Sequence, residues 1–233
     1  MCEKLEHNVI TTSKGIGVEN HPFNNPDDLA GARYLIVGSF PPYRFSIKHK
    51  QLNKNDVDWF YGSKDNDFWG KGGVDGLLQC ALGCQGKVLA TKEERKIFCE
   101  NRGIAFLDLF QTIKRYDNLS SDSNIFPIEI VDLTYYLDRY DDITTIFFTS
   151  SWVEQIAKKE YLRINRDNLP LNRKGEKPTS VEGGVFYRFK EGKKSVKIRK
   201  LTSPSPMNSG NFQSKLEKWR NAIKNTGLDK MVF

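Results

Sequence analysis

The sequence predicts an α/β protein, three-layer α/β/α, with a mainly parallel central sheet covered by helices on both faces. Three observations predict it. Short apolar runs of strand length alternate with segments of helical periodicity. The runs are apolar throughout rather than at every second residue, as strands buried on both faces are. The chain, 233 residues long, can bury a sizeable core and has no linker, internal repeat or low-complexity tract to divide it. Residues 1–233 are therefore read as a single domain, with residues 1–30 as an N-terminal arm.

Taken in order, Tyr34-Leu-Ile-Val37 is the first buried strand, between Arg33 and Gly38. A long polar loop follows to about Asp65. Phe68 to Leu82 reads as a helix despite its internal glycines. Thr91 to Asn101 reads as another, with Thr91 as cap and Glu94 completing a capping box. Gly103 stops that helix and opens a second strand, Ile104 to Phe110. After a loop rich in Ser and Asp, a helix is expected near Pro127, its apolar positions at Ile128, Val131, Tyr135 and Leu137. Ile143 to Phe148 is the third buried strand, and Trp152 to Leu162 a helix. Residues 163–182 look irregular. Val185 to Phe189 and Val196 to Leu201 are strand-like runs joined by Glu191-Gly-Lys-Lys194, a hairpin signal. A helix from about Phe212 to Lys224 closes the chain. Ligands of such sheets bind at the carboxyl ends of the strands. That rule picks out the loops after Val37, after Phe110 and after Leu201.

Composition excludes several classes. No run approaches the ~20 apolar residues of a membrane span. Met1 to Gly15 has no apolar core of signal-peptide type, so a cytoplasmic protein is expected. Cys2, Cys80, Cys84 and Cys99 form no metal pattern and read as buried structural thiols, so no metal site is expected. The net charge of +7 is unevenly spread: residues 158–200 hold fourteen Lys and Arg against five Asp and Glu, and the remainder is slightly acidic. A basic region of that kind suits a polyanionic partner, though a solvated basic loop has the same composition.

The chemistry-bearing segments sit at the predicted strand ends. They are Gly38-Ser-Phe-Pro-Pro42, Tyr61 to Trp69, and Ser203-Pro-Ser-Pro-Met-Asn208. Each has a plain structural reading, as a rigid strand exit, a helix start with core aromatics, and a simple turn. Together they resemble the uracil-DNA glycosylase superfamily, and within it the hypoxanthine-DNA (DNA-deoxyinosine) glycosylase branch. There Gly-Ser-Phe-Pro follows the first strand, Asn-x-Phe-Trp opens the next helix, and Ser-x-Ser-Pro-x-Asn follows the last strand. Here these are Gly38 to Pro41, Asn66 to Trp69 and Ser203 to Asn208. Gly103 to Asp108, with Arg115 and Ser121 to Ile125, also resembles that branch. The likeness runs from about His21 to Phe212.

The resemblance implies a uracil-DNA glycosylase-like fold and a monomeric DNA glycosylase that needs no cofactor or metal. Such an enzyme extrudes a damaged nucleotide from DNA and hydrolyses the bond between its base and the deoxyribose. Hypoxanthine is the nearest substrate, uracil the second, an alkylated or otherwise modified base a third. It further implies that Ser39, Phe40 and Tyr61 line the base pocket, Tyr61 by stacking, and that Asn66 is the catalytic residue. Many relatives place an Asp or Asn in the first loop; Phe40 stands there and can orient no water. An amide orients water and stabilises charge rather than removing a proton. Asp65 and Asp67 read as solvated carboxylates at a helix start. Ser203, Ser205 and Asn208 would meet DNA, and Met207 would either fill the space of the extruded base or simply pack. Many uracil enzymes carry His where Ser203 stands, so stabilisation of the leaving base must come from elsewhere. His7, His21 and His49 lie outside the motifs and are assigned no catalytic role, with His21-Pro-Phe23 read as a packed arm. The stretches Ser46 to Asp58 and Tyr161 to Gly184 look like insertions able to reshape access. Two other classes fit the same chain: a non-catalytic nucleic-acid-binding module of this fold, and a hydrolase of free nucleosides or nucleotides.

Overall fold

The computed structural model describes residues 16–47, 50, 52–117, 121–169, 181, 184–188, 194–208 and 210–230. Its elements in chain order are β1 (Ile16–Asn20), β2 (Tyr34–Gly38), α1 (Tyr43–Ser46), α2 (Leu77–Ala81), α3 (Lys92–Glu100), β3 (Ile104–Asp108) and β4 (Phe110–Tyr116). Then come β5 (Ile125–Ile130), α4 (Leu133–Arg139), β6 (Thr145–Phe148), α5 (Ser151–Asn165), β7 (Val185–Arg188), β8 (Lys194–Lys200) and α6 (Phe212–Ile223).

Two sheets form. The larger is five-stranded in the order β3-β2-β6-β8-β7. The pairs β3–β2, β2–β6 and β6–β8 are parallel, and β7 runs antiparallel along the edge of β8. The sheet is therefore mixed. Alternate residues of β2 go to opposite faces, as the strand period requires. Tyr34 and Ile36 join one apolar cluster with Leu77, Phe98, Leu216 and Trp219, which brings α2, α3 and α6 to that face. Leu35 and Val37 join another with Leu137, Val153, Ala157 and Tyr161, which brings α4 and α5 to the other. All five β2 residues are buried, which explains the uninterrupted apolar run.

The smaller sheet, β1-β4-β5, is antiparallel throughout and was not foreseen. It corrects two expectations. The run Ile104 to Phe110 is not one strand: β3 ends at Asp108, and Phe110 begins β4 in the other sheet. The helix expected near Pro127 is instead the strand β5. Proline, lacking an N–H, is tolerated there because β5 lies at the sheet edge. The helix starts later, where Asp132 caps α4 by accepting from the Thr134 and Tyr135 N–H groups.

Phe68 to Leu82 is likewise not one helix. Gly70, Gly72 and Gly73 take left-handed backbone, and a side chain at Gly76 would collide with the Phe68 carbonyl, so the segment holds a short 3-10 turn at Lys71–Gly73 and an α-helix over Leu77–Ala81 alone. The Thr91–Glu94 capping box forms as expected, at 3.2 and 2.8 Å. β7 and β8 pair in antiparallel register, while Phe189 and residues 191–193 of the predicted hairpin lie outside the described residues. So do Cys2, His7, His49 and most of the irregular stretch 163–182. Cys80 and Cys99 are buried and Cys84 partly so. Among the described residues no helix is long and apolar enough to cross a membrane, and no cluster of His, Cys, Asp or Glu could hold a metal ion.

A buried ion pair braces the smaller sheet and ties it to the turn after β2. Arg115 of β4 is buried and donates to Glu19 of β1 at 2.8 and 3.1 Å, and to the Pro41 carbonyl at 2.9 Å. Ser46 of α1 donates to the same carboxylate. Glu19→Ala strands the buried guanidinium and is expected to cost about 3–5 kcal/mol, read from the urea midpoint. Replacing both partners, Glu19→Leu with Arg115→Met, is expected to cost markedly less than either change alone.

Candidate active site

The four parallel strands end at one edge, at Gly38, Asp108, Phe148 and Lys200. Backbone bonds carry the pairing past the strand ends, from Leu109 N–H to Gly38 O at 2.8 Å and from Thr149 N–H to Val37 O at 3.0 Å. The loop after β2, the Tyr61–Trp69 segment and the loop after β8 meet above this edge, as strand-end logic requires.

Gly38 is opposite Asp108 in the parallel register. A side chain at Gly38 would collide with both the Tyr61 hydroxyl and Asp108 Oδ1, so these two groups share the space above its Cα. The Tyr61 hydroxyl also meets Thr149 Oγ1 at 3.2 Å. Burial pushes the Tyr61 phenol well above its ordinary range, and the Asp108 and Asp122 carboxylates add to the effect. Tyr61 therefore stays neutral and can donate a hydrogen bond. Its ring lies parallel to Phe68, 4.2 Å away with a 9° tilt, which covers one face.

Asp108 is held from several sides. His21 Nδ1 accepts from the Phe23 and Asn24 N–H groups at 3.2 and 2.8 Å, which leaves Nε2 as the protonated nitrogen. That Nε2–H donates to Asp108 Oδ2 at 2.9 Å. Asn24 brackets the same residue, accepting from its N–H and donating to its carbonyl, both at 2.9 Å. The His21 ring lies among Phe23, Phe40 and Phe60. The packed arm is thus present, and it reaches the strand edge. Nothing in the spacing of His21 and Asp108, 87 positions apart, signals the contact.

Phe40 is 8% exposed, edge-on to His21 at 5.2 Å and beneath the Arg115 guanidinium at 5.8 Å. Ser39 donates to Asp122 Oδ1 at 2.9 Å. Asp122 stays open to solvent at its rim, yet its carboxyl titrates above the ordinary range. Desolvation is the main cause; repulsion from Asp108 adds to it, and the Ser39 hydroxyl and the Arg115 charge oppose it.

Asn66 Oδ1 accepts from the Phe68 N–H at 2.9 Å, a cap on the turn before Trp69. The neighbouring carboxylates are less free than expected. Asp67 pairs with Lys215 at 2.8 Å, and Lys215, 2% exposed on α6, also donates to the Ser205 carbonyl at 2.9 Å. Asp67 N–H donates to the Pro204 carbonyl at 3.0 Å. Asp65 lies 3.7 Å from Arg44. Arg44 also grips Asp56 and Ser63, which pins the described part of the stretch Ser46 to Asp58.

Those three bonds join the Asn66 segment to the loop after β8. In that loop Ser203 and Ser205 hydroxyls accept from the N–H groups two residues on, and Asn208 folds back on the Ser203 carbonyl. The turn holds Met207 at 91% exposure, so Met207 is not a core residue. Of the basic region, Lys158 and Arg163 pair with Glu154 and Glu160 on their own helix, and residues 170–180 and 189–193 lie outside the described residues.

No family model and no curated protein matches the chain. Among solved structures, the fold is similar to the solution NMR structure of a Methanosarcina acetivorans protein provisionally named a uracil DNA glycosylase. The TM-score is 0.50 and the identity 19%, over 89% of this chain and 94% of the other. The likeness is one of fold.

Two outcomes test this geometry. Gly38→Ala is expected to cost about 1–3 kcal/mol, as overpacking does, and to displace the Tyr61 ring, read from the melting curve and tyrosine fluorescence. Met207→Ala is expected to leave stability within about 0.5 kcal/mol of the parent, as at other exposed positions.

Proposed function

We propose that the protein is a DNA glycosylase that extrudes a deaminated base and hydrolyses its N-glycosidic bond, with hypoxanthine as the first substrate and uracil as the second. The observation that carries the reading is Met207. Its thioether is more exposed than any other large apolar side chain among the described residues, and it stands on a turn bonded to the Asn66 segment, where an apolar partner can cover it. A duplex that has lost a base from its stack offers such a partner. Tyr61 would stack on the extruded base and Ser39 would meet the base's polar edge. Asn66 would orient water through its amide while its carbonyl keeps the cap on Phe68. Ser203, Ser205 and Asn208 would set the loop against the phosphates. The fold similarity supports the same assignment.

A free nucleoside is too small to reach both Tyr61 and an extended loop such as that of Met207, whereas a duplex can meet both. The direct test is incubation with duplexes that each carry one deaminated base, followed by alkaline cleavage of abasic sites. Strand cleavage at hypoxanthine or uracil is expected. No cleavage at any base, with DNA affinity intact, would leave the non-catalytic module as the correct reading.

Two variants probe the roles. Asn66→Ala is expected to lower single-turnover base release by about two orders of magnitude, as loss of a preorganised polar contact does, and to weaken duplex binding far less. Asn66→Asp keeps an acceptor for the Phe68 cap and a group able to orient water, so it controls for loss of the cap; release at the parent rate by Asn66→Ala would remove Asn66 from the mechanism. Met207→Ala is expected to lose most activity on a paired duplex, less on a mismatch and least on single-stranded DNA, because extruding a paired base costs a few kcal/mol more. An equal loss on all three would remove the wedge role.

A further inference from the structure

We infer that Asp122 is the group that takes the proton from the attacking water, an assignment that rests on the glycosidic hydrolysis proposed above. In that reaction the water oxygen bonds to C1′ as the C1′–N bond breaks, and the bonding pair leaves with the base. One water proton must pass to an acceptor, and the departing base later gains a proton from solvent. An amide cannot accept that proton, so Asn66 alone leaves the step incomplete.

The described carboxylates near the strand edge differ in what holds them. Asp56 is fixed by Arg44 and by the N–H groups of Asn53 and Lys64. Asp67 is paired with the buried Lys215. Asp65 faces Arg44. Asp108 spends Oδ2 on His21, and its Oδ1 shares the crowded space over Gly38 with the Tyr61 hydroxyl. Each of these carboxylates thus faces a cation or an imidazole N–H.

Asp122 is held differently. Its contact is the neutral hydroxyl of Ser39, on the turn that leaves β2 between Gly38 and Phe40. It lies at the first residue of the short 3-10 turn Asp122–Asn124 that leads into β5, and it is open to solvent. It is close enough to Tyr61 for its charge to be felt at the phenol. The charged groups facing it are Asp108, which repels it, and Arg115, which is already engaged by Glu19 and attracts it less. The balance raises its proton affinity. Ser39 fixes one oxygen, and the other can take a proton.

The test is single-turnover base release across pH by the parent, Asp122→Asn and Ser39→Ala, on the duplex the parent cleaves best. A carboxylate base acts deprotonated, so parent release is expected to climb with pH through the raised carboxyl range and then level. Asp122→Asn is expected to lose at least about 100-fold at the plateau, to lack that limb, and to bind the duplex as well as the parent or better. Ser39→Ala removes the bond that favours the charged form, so its limb should move to higher pH with the plateau partly kept. Ser39→Ala also serves if Asp122→Asn fails to fold. Release by Asp122→Asn within about twofold of the parent, or an unmoved limb in Ser39→Ala, overturns the role of Asp122 alone. No release by the parent on any deaminated duplex overturns the glycosylase reading, and this inference with it.

Discussion

The arrangement at the strand edge depends on one buried ion pair, Arg115 with Glu19. A guanidinium with 1% of its side chain exposed must be fully paired, because an unpaired buried charge costs several kcal/mol. Two separate segments meet it: β1 with Glu19, and the turn after β2 with the Pro41 carbonyl and the ring of Phe40. The small antiparallel sheet therefore cannot shift without dragging the exit of β2. The same turn carries Ser39, and through it Asp122, so the ion pair sets where that carboxylate stands.

Around this anchor the edge is built from groups held neutral beside groups held charged. Tyr61 is kept protonated by burial and by the carboxylates near it. His21 receives two backbone N–H groups at Nδ1, which an imidazolium could not accept, so the ring is fixed as a neutral donor to Asp108. A neutral partner steadies the Asp108 carboxylate without cancelling its charge. Negative potential thereby survives at the edge, where the proposed reaction develops positive charge on a sugar. The aromatic shell of Phe23, Phe40, Phe60 and Phe68 keeps the dielectric low and lengthens the reach of that potential.

Much of this was legible in the sequence, and what was not has physical reasons. Buried parallel strands announce themselves as apolar runs, so β2 and β6 were readable, β8 showed instead as Val196, Ile198 and Leu201 spaced along a charged run, and the capping box at Thr91 and Glu94 marked α3. The antiparallel sheet was hidden because β4 continues the apolar run of β3 with only Leu109 between them. Periodicity cannot show that a chain has changed sheets. Pro127 misled because proline suits both a helix start and an edge strand, and only the neighbours decide. The glycines after Trp69 were underweighted: three in left-handed backbone leave no room for a continuous helix. At the site, Gly38 to Pro42 and Ser203 to Asn208 were found by position at strand ends. His21 with Asp108, Ser39 with Asp122, and Asp67 with Lys215 were not, since pairs 83 to 148 residues apart leave no trace in spacing.

The last of these pairs bears on how two events could be kept in step. Lys215 is buried, and its ammonium has to satisfy its donors where water cannot help. It does so on Asp67 and on the Ser205 carbonyl at once, while Asp67 N–H holds the Pro204 carbonyl. Trp219, one helical turn along α6, adds a bond to the Thr202 carbonyl at 2.7 Å and packs edge-on against Phe68. The loop carrying Met207 and the segment carrying Asn66 are thus clamped by one helix. On the proposed reading Met207 enters the duplex and Asn66 meets the base that has left it. A flexible link would let the gap fill without the base arriving at Tyr61. A rigid one makes the two motions a single placement, so the free energy of burying Met207 in the duplex goes directly into seating the extruded nucleotide.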